Sequence, residues 1–382
     1  MYKICYVTTV PGTIRTFILK CAEYLYSTGE FDISFICNED EAFKNAVPEY
    51  FHYFPVRMTR GIAMDGLRAI KEMRKIFKRE KFDLVQYSTP NASCYASIAA
   101  KQAGIPVRLY CQWGLVYVGF EGIKRAFFKS IEKMVCRNST WIEPDSYGNL
   151  KFSHDEGLYP ENKGSVVWNG SASGVSLEKF DISKKSEYRK QIREKYGIPE
   201  EAFVFGFVGR INGDKGVNEL FTAMRDLTAS NNDVRLMVVG KPEISRGVDM
   251  TLYSWAKECP KVMFTGYTTT PEQYLSAVDC YVLPSYREGF GMTVIEAETM
   301  ELPVIVTNIP GPTDGMIKDE TGLVVEKKDS DGLRAAMKEM IGSPEKRSAF
   351  AAKGREFAVS HFEQKTLFEK ILEDRKRLLE QD

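Results

Sequence analysis

Short apolar runs alternate with amphipathic stretches along the first half of the chain. The runs are short enough to be strands, and the amphipathic stretches repeat their apolar positions at helical spacing. The predicted strands are residues 3–10, 31–37, 84–88, 107–111, 140–143 and 165–168. The predicted helices include residues 15–27, 64–81, 92–103 and 123–137. Apolar strands alternating with helices are typical of parallel sheets covered by helices.

A polar stretch at residues 169–201, rich in Ser, Gly and Lys, interrupts the alternation and contains one charged helix at 186–196. The pattern then starts again. Strands are predicted at residues 203–208, 234–239, 262–265, 280–284 and 304–307, and helices at 217–229, 293–300, 331–341, 344–360 and 363–379. We therefore predict an α/β protein with two Rossmann-like, doubly wound domains, residues 1–172 and 173–362, facing each other across a cleft. Residues 363–382 are expected to pack back on the first domain as a helix.

Composition narrows the class of protein. The 382 residues suit two domains of ordinary size. Lys plus Arg and Asp plus Glu both number 52, which gives no indication of nucleic-acid binding, and three histidines disfavour a His-rich metal site. Eight scattered cysteines, several within apolar runs, predict buried reduced thiols and a cytoplasmic protein. No apolar stretch approaches the roughly 20 residues of a membrane span.

The strongest chemical signal is the decapeptide at residues 287–296, Arg-Glu-Gly-Phe-Gly-Met-Thr-Val-Ile-Glu, which opens a helix. Gly289 and Gly291 leave backbone N–H groups open to a ligand, and a helix N-terminus favours an anion such as a diphosphate. Glu288 and Glu296 lie eight residues apart, so that one can face a sugar and the other a ribose. A plain glycine turn followed by a solvated glutamate is the alternative interpretation.

Two further loops follow predicted first strands. Residues 209–216, Gly-Arg-Ile-Asn-Gly-Asp-Lys-Gly, place Arg210 and Lys215 among three glycines. Two fixed cations opposite a diphosphate would neutralise the charge that grows when a glycosidic bond breaks, although such a loop in isolation is usually only a loop. The turn at residues 8–13 carries a single glycine, Gly12, which suits a phosphate, an acceptor or an ordinary strand-to-helix turn.

Together these motifs resemble the family 4 group of retaining glycosyltransferases, which have the two-domain glycosyltransferase-B fold. The resemblance covers nearly the whole chain and includes Trp168-Asn169-Gly170, Phe180 and the turn at 321–324. It implies an acceptor-binding first domain and a second domain that binds the nucleotide-sugar donor. Glu288 is expected to contact the donor sugar, with Arg210 and Lys215 on the diphosphate. The other expected donor contacts are Gly12, Gly209, Gly266, Tyr267, Gly289, Phe290, Gly291, Met292, Thr293 and Glu296.

The sequence departs from the family pattern at one position. Relatives often have a histidine before the glycine of the stretch that here spans residues 109–115, and Trp113 stands in its place beside Gln112. Gln112 and Trp113 are candidate contacts to the acceptor or the sugar. Trp113 could stack on a sugar ring or simply pack under its loop.

The resemblance implies transfer of a sugar from a nucleotide diphosphate-sugar, with UDP favoured, to a glycan or lipid-linked acceptor in polysaccharide assembly. It also implies retention of anomeric configuration without a metal or a cofactor, since the nucleotide-sugar is a substrate. Two alternatives remain open: a nucleotide-sugar epimerase on the same fold, and a catalytically lapsed donor-binding subunit, which the missing histidine motivates.

Charge is unevenly distributed despite the neutral total. Residues 57–81 contain nine Lys and Arg against three acids, and residues 123–137 repeat the basic pattern. Each basic residue near an anionic membrane contributes about 1 kcal/mol, so the stretches are candidate contacts to the inner membrane face. Two solvated helix faces that pack their apolar stripes on the sheet are the alternative.

Overall fold

The computed structural model describes residues 1–59, 66–230 and 233–380. Within it the chain divides into two compact units. Unit 1 comprises Met1–Ser173 together with the chain from Lys365 onward, and unit 2 comprises Gly174–Gln364. The predicted boundaries, 172/173 and 362/363, lie within two residues of these divisions.

Unit 1 is built on six parallel strands in the order β3-β2-β1-β4-β5-β6. The strands are β1 (Tyr2–Val7), β2 (Phe31–Cys37), β3 (His52–Pro55), β4 (Leu84–Tyr87), β5 (Val107–Gln112) and β6 (Trp141–Pro144). The helices are α1 (Pro11–Thr13), α2 (Leu19–Ser27), α3 (Glu41–Ala46), α4 (Gly66–Glu80), α5 (Pro90–Ala103), α6 (Gly122–Asn138) and α7 (Tyr147–Asp155), with a π-helical turn at Ile14–Ile18. The order is that of a dinucleotide-binding sheet.

Unit 2 repeats the same topology in the order β12-β11-β10-β7-β8-β9, again with parallel pairing throughout. Its strands are β7 (Phe203–Val208), β8 (Val234–Val239), β9 (Val262–Gly266), β10 (Cys280–Leu283), β11 (Val304–Thr307) and β12 (Gly322–Val325). Its helices are α8 (Lys185–Tyr196), α9 (Val217–Ser230), α10 (Met250–Glu258), α11 (Pro271–Ser276), α12 (Met292–Thr299), α13 (Ser330–Gly342) and α14 (Pro344–Phe362). The predicted doubly wound α/β fold class is confirmed.

The last helix, α15 (Gln364–Glu380), completes the core of unit 1. Its apolar residues Leu367, Phe368, Ile371 and Leu378 join the cluster on the face of the sheet that α2 also covers. Arg375 is almost fully buried there, and its guanidinium donates to both carboxylate oxygens of Glu143, at 2.5 and 3.0 Å. On the opposite face, α4, α5 and α6 share a second cluster.

Several predicted elements differ from the structure. Residues 165–168 form no strand, because this apolar run packs Val166, Val167 and Trp168 into unit 1 as a turn, with Trp168 at a φ of +50°. Strand β3 was not predicted because it is a half-exposed edge strand containing a histidine and a proline. The resemblance treated residues 321–324 as a turn, whereas Gly322–Val325 pairs with β11 as strand β12.

Candidate active site in unit 2

The loops that carry the candidate chemistry follow two neighbouring strands, β7 and β10. The chain runs from β7 outward through β8 and β9, then returns to the other side of β7 with β10. The strand order therefore reverses between β7 and β10, and α/β sheets bind their ligands at the carboxyl ends of strands at such a point. Residues 209–216 follow β7, and residues 284–291 follow β10 and lead into α12.

Three contacts hold these two loops together. The Tyr286 N–H donates to the carbonyl oxygen of Asp214 at 2.8 Å, and Arg287 forms an ion pair with the Asp214 carboxylate at 2.6 Å. Gly216 has a φ of +67°, and a Cβ there would lie 1.9 Å from the carbonyl oxygen of Pro284. No residue with a side chain fits this position, so Gly216 lets the loops meet.

Lys215 and Glu288 meet across this junction. The Lys215 Nζ lies 2.5 Å from Glu288 Oε1, and the two side chains are only 18% and 12% exposed. The hydroxyl of Ser285, which is fully buried, donates to the same carboxylate oxygen at 2.6 Å. Thr307 in turn donates to the Ser285 carbonyl oxygen. The site therefore contains a largely desolvated ion pair whose carboxylate orientation is fixed by a buried hydroxyl.

Arg210 lies at the surface of the same loop and is 51% exposed. Its guanidinium donates to Glu243 at 3.2 Å, and Glu243 also accepts from Asn212 and Arg246 at 3.2 Å each. Burial opposes ionisation of Glu243, but Arg210, Asn212 and Arg246 outweigh it and lower the pKa of this carboxyl. Glu243 thus holds Arg210 in place as a carboxylate.

The glycine-rich turn presents the N-terminus of α12. Gly291 has a φ of +84° at the N-cap, and no side chain caps the helix there. Thr293, in the first turn, accepts a hydrogen bond from the buried Tyr281 hydroxyl at 2.5 Å. Phe290 is buried and packs on Phe362 with ring centroids 5.1 Å apart, so only its backbone is accessible to a ligand. The positive end of the helix dipole suits an anion.

Glu296 is the fifth residue of α12, just over one turn from its beginning, and is half-buried. Burial raises the pKa of Glu296 to about 7, with Lys179 working against the shift and Glu272 adding to it. A carboxyl that titrates near neutral pH has exchanged water for a less polar environment. At the end of β9, Gly266 has a φ of +79°, and the ring of Tyr267 is 75% exposed.

The corresponding position in unit 1 lies between β1 and β4. Gly12 is exposed in α1, and the preceding loop is fixed by Thr9, whose N–H donates to the Thr89 hydroxyl at 3.0 Å. Gln112 is fully buried, and both ends of its amide are engaged, by Glu132 and by Ser153, at 2.8 Å each. Trp113 is half-buried and packs on Phe17 with ring centroids 5.7 Å apart.

Sequence reasoning missed several supporting residues. Ser285 carried a signal, since it is a polar residue two positions after a buried strand and two positions before the glutamate motif. Glu243 and Thr89 carried none, because their roles depend on loops that come together only in the folded sheets. The roles expected for the motif residues themselves remain predictions.

Two family models match the chain. The one described as glycosyl transferases group 1 matches residues 188–357, and glycosyl transferase 4-like matches residues 3–146. Together they account for most of both units. The chain belongs to the family 4 group of glycosyltransferases.

Individual proteins agree with this assignment. The glycosyltransferase is 29% identical over 371 residues to the capsular polysaccharide biosynthesis glycosyltransferase CapM of Staphylococcus aureus, covering 97% of this chain and 95% of that one. It is 26% identical over 353 residues to the UDP-Gal:alpha-D-GlcNAc-diphosphoundecaprenol alpha-1,3-galactosyltransferase of Escherichia coli, covering 88% and 87%. The structure of Anabaena HepE in complex with UDP-glucose superposes with a TM-score of 0.77 at 17% identity, covering 99% and 100%.

The described part of the glycosyltransferase contains neither a metal-binding cluster nor a membrane-spanning helix. Across residues 1–59, 66–230 and 233–380, no group of three or more His, Cys, Asp or Glu side chains is arranged to hold a metal ion. None of the helices in those ranges is both long and apolar enough to cross a membrane.

Proposed function

We propose that this glycosyltransferase transfers a sugar from a UDP-sugar to a glycan or lipid-linked acceptor in polysaccharide assembly, with retention of anomeric configuration and without a metal. The observation that carries the proposal is the junction of Lys215, Ser285 and Glu288 at the point where the unit 2 sheet reverses its strand order. It combines a fixed cation, a fixed carboxylate and a helix N-terminus at one edge of one sheet.

In the proposed reaction, the bond between the sugar C1 and the diphosphate oxygen breaks, and its electron pair stays on the departing oxygen. Lys215, Arg210 and the N-terminus of α12 stabilise the charge that grows there, since preorganised donors act most strongly where charge develops. The acceptor oxygen bonds to C1 on the same face, and its proton passes to the departing phosphate oxygen. Glu288 contacts the sugar, where it stabilises the positive charge of the oxocarbenium-like state.

Metal independence is proposed on the same electrostatic ground. A divalent cation in a transferase neutralises the departing diphosphate and orients it. Here two cations from one loop, one of them already fixed by Glu243, supply that charge beside a helix dipole. Nucleotide release in excess chelator tests this proposal, and turnover that depends on added Mg²⁺ or Mn²⁺ in the chemical step contradicts it.

The donor and acceptor classes are proposed from the relatives. The Escherichia coli relative is named for UDP-Gal as donor, a diphosphoundecaprenol-linked sugar as acceptor and an alpha linkage, and the Staphylococcus aureus relative is named for capsular polysaccharide biosynthesis. In unit 2, Glu296 would accept hydrogen bonds from the ribose, and the exposed ring of Tyr267 would contact the base.

Membrane association is proposed from the exposed cations of unit 1. On α4 the exposed cations are Arg68, Lys71, Lys75, Lys78 and Arg79, and on α6 they are Lys124, Lys133 and Arg137. The other two cations of α6, Arg125 and Lys129, are paired with Glu156. Arg60 and Asp65 of the basic stretch lie outside the described residues. Adsorption to an anionic cytoplasmic leaflet would bring the enzyme to a lipid-linked acceptor.

The decisive experiment is a panel of UDP- and GDP-sugars, with and without a lipid-linked acceptor, in which free nucleotide and the sugar product are measured. The proposal expects one UDP-sugar to be turned over with an alpha-linked product. Binding of a donor without turnover indicates a lapsed subunit, and an isomerised donor sugar formed without acceptor indicates an epimerase. Glu288→Gln is the matched inactive control, since it keeps the shape of the site.

A further inference from the structure

Unit 1 exposes large apolar side chains at the beginnings of two helices. Leu67, the second residue of α4, is 78% exposed, and Ile123, the second residue of α6, is 91% exposed. Phe127, one turn further along α6, is 47% exposed. We refer to Leu67, Ile123 and Phe127 as the apolar edge.

The sheet topology places these residues at one edge of unit 1. Helix α4 joins β3 to β4, and α6 joins β5 to β6, while all the strands run parallel. Both helices must therefore begin at the carboxyl edge of the sheet, where α/β units bind their ligands. They also lie on the same face, since both contribute to the core cluster that they share with α5.

Ile123 and Phe127 are not part of the apolar stripe through which α6 packs on the sheet. That stripe is occupied by other residues: Val135 and Cys136 are buried, and Phe128 stacks on Phe120 with ring centroids 4.8 Å apart. Ile123 and Phe127 are additional apolar residues that stay exposed, and the Phe127 ring meets the Phe128 ring edge to face with centroids 5.4 Å apart. The stripe of α6 therefore packs on the sheet, as the alternative interpretation expects, while Ile123 and Phe127 stay exposed outside it.

The exposed cations around the apolar edge indicate the kind of surface that this edge contacts. Lys124, between the two apolar residues, is exposed, and its Nζ lies 4.3 Å above the Phe120 ring. Exposed cations continue along both helices, as described above. An amphipathic surface with apolar residues at its tip and cations behind them fits an anionic bilayer, where the apolar groups enter the interface and the cations meet the headgroups.

We propose that the apolar edge inserts into an anionic membrane surface, with Ile123 and Phe127 entering the acyl boundary. This inference rests on the proposed membrane association and adds to it a hydrophobic anchor and an orientation. The carboxyl edge of unit 1, rather than the sides of α4 and α6, then faces the lipid from which a lipid-linked acceptor emerges.

The test is co-sedimentation with vesicles of equal parts phosphatidylcholine and phosphatidylglycerol, comparing two neutral double variants. Ile123→Ser with Phe127→Ser removes the anchor without changing charge. Ile244→Ser with Met250→Ser is the matched control, because these apolar residues of unit 2 are 38% and 51% exposed. We expect the first pair to partition about tenfold more weakly than wild type and the control pair to partition like wild type.

Salt and fluorescence separate insertion from adsorption. At about 1 M salt the Debye length falls to about 3 Å, so the wild type should keep residual binding that the Ile123/Phe127 pair loses. A Phe127→Trp variant should gain quenching by lipids brominated in the acyl chains. Equal partitioning of the two double variants, or no added quenching, overturns the proposal.

The outcome is independent of the sugar-transfer assay. Nucleotide release from the donor in the absence of vesicles should be unchanged in the Ile123/Phe127 pair. Intact turnover without vesicle binding overturns the insertion alone, whereas normal vesicle binding by a protein that turns over no donor overturns the proposed activity alone.

Discussion

At the point where each sheet reverses its strand order, units 1 and 2 carry very different side chains. In unit 2 the junction between β7 and β10 holds the Lys215–Glu288 ion pair, with Ser285 buried beside it. In unit 1 the equivalent junction between β1 and β4 holds two threonines, whose hydroxyls lie 2.9 Å apart. The same topology thus supports a charged site in one unit and a neutral site in the other, because function depends on the residues placed at the strand ends.

The largest expected effect comes from disrupting the charged junction. Glu288→Gln should lower kcat about 100- to 1000-fold, as the loss of one preorganised transition-state contact does. Affinity for UDP should change little, since UDP lacks the sugar that Glu288 is proposed to contact. Lys215→Ala should reduce both turnover and UDP affinity, because the proposed contact of Lys215 with the diphosphate is made in ground and transition states alike.

Steady-state kinetics and UDP titration measure these effects, and thermal unfolding controls for loss of structure. Thr9→Val in unit 1 is the comparison variant, and its kcat at saturating substrates should stay within about threefold of wild type. A Thr9→Val loss as large as that of Glu288→Gln would show that the neutral junction takes part in the chemistry.

A second prediction concerns the pH dependence of UDP binding. With a pKa near 7, Glu296 is ionised above neutral pH and able to accept from both ribose hydroxyls. UDP affinity should therefore fall below pH 7, by up to about tenfold per pH unit, and Glu296→Gln should remove this contribution. The UDP phosphate titrates in the same range, so the ratio of the two proteins' dissociation constants is the quantity to follow. A ratio independent of pH contradicts the ribose contact.

Introducing a titratable group at the neutral edge of unit 1 sharpens the comparison further. Trp113→His restores the residue common in the family, but it replaces an indole packed on Phe17 with a smaller polar ring. Because the void weakens the packing, we expect turnover to fall severalfold. Measured kcat decides the matter, and a severalfold gain would support a weakened or lapsed enzyme.

The smallest predicted effect is on stability and concerns Glu298, which lies on the same helix as Glu296. Glu298, two residues after Glu296, is fully buried, and the Thr321 side chain is its hydrogen-bonding neighbour. Burial raises its pKa well above the usual range, so the folded protein holds a proton that the unfolded chain releases. The contribution of Glu298 to stability is therefore complete at pH values below its pKa in the unfolded chain. It is lost as the pH rises towards its pKa in the folded protein.

Glu298→Gln should consequently raise the free energy of unfolding relative to wild type. This increase should be about 1 kcal/mol larger at pH 8 than at pH 5. Denaturant unfolding at both pH values measures it, with the exposed Glu258→Gln as control. An equal effect at both pH values would mean that Glu298 does not titrate with unfolding.

Much of this architecture follows from the sequence alone. Strands β2, β7, β8 and β11 were predicted to the residue, because a buried parallel strand is a short and mostly apolar run. Short helices such as α3, α7 and α11 were missed, since fewer than three turns give little periodic signal. The loops of the glutamate motif could be located because several strong signals coincide there: glycines, charged residues and the end of a strand.

The contacts that shape the site were less predictable. Nothing local indicated that Glu243 would hold Arg210, or that Asp214 would pair with Arg287, because each pair spans many residues of sequence. Likewise, Gln112 and Trp113 were adjacent candidates, yet one became a buried strand end and the other packed on an aromatic ring. Such differences depend on packing that periodicity does not report.

The placement of α15 has a consequence for biosynthesis. A ribosome makes the strands of unit 1 before unit 2, but the apolar face that Leu367, Phe368 and Ile371 cover stays open until α15 emerges. Unit 2 has by then been completely synthesised and can fold as a unit. The nascent chain therefore carries an unfinished unit 1 throughout the synthesis of unit 2, and a premature stop near residue 364 would damage unit 1 rather than unit 2.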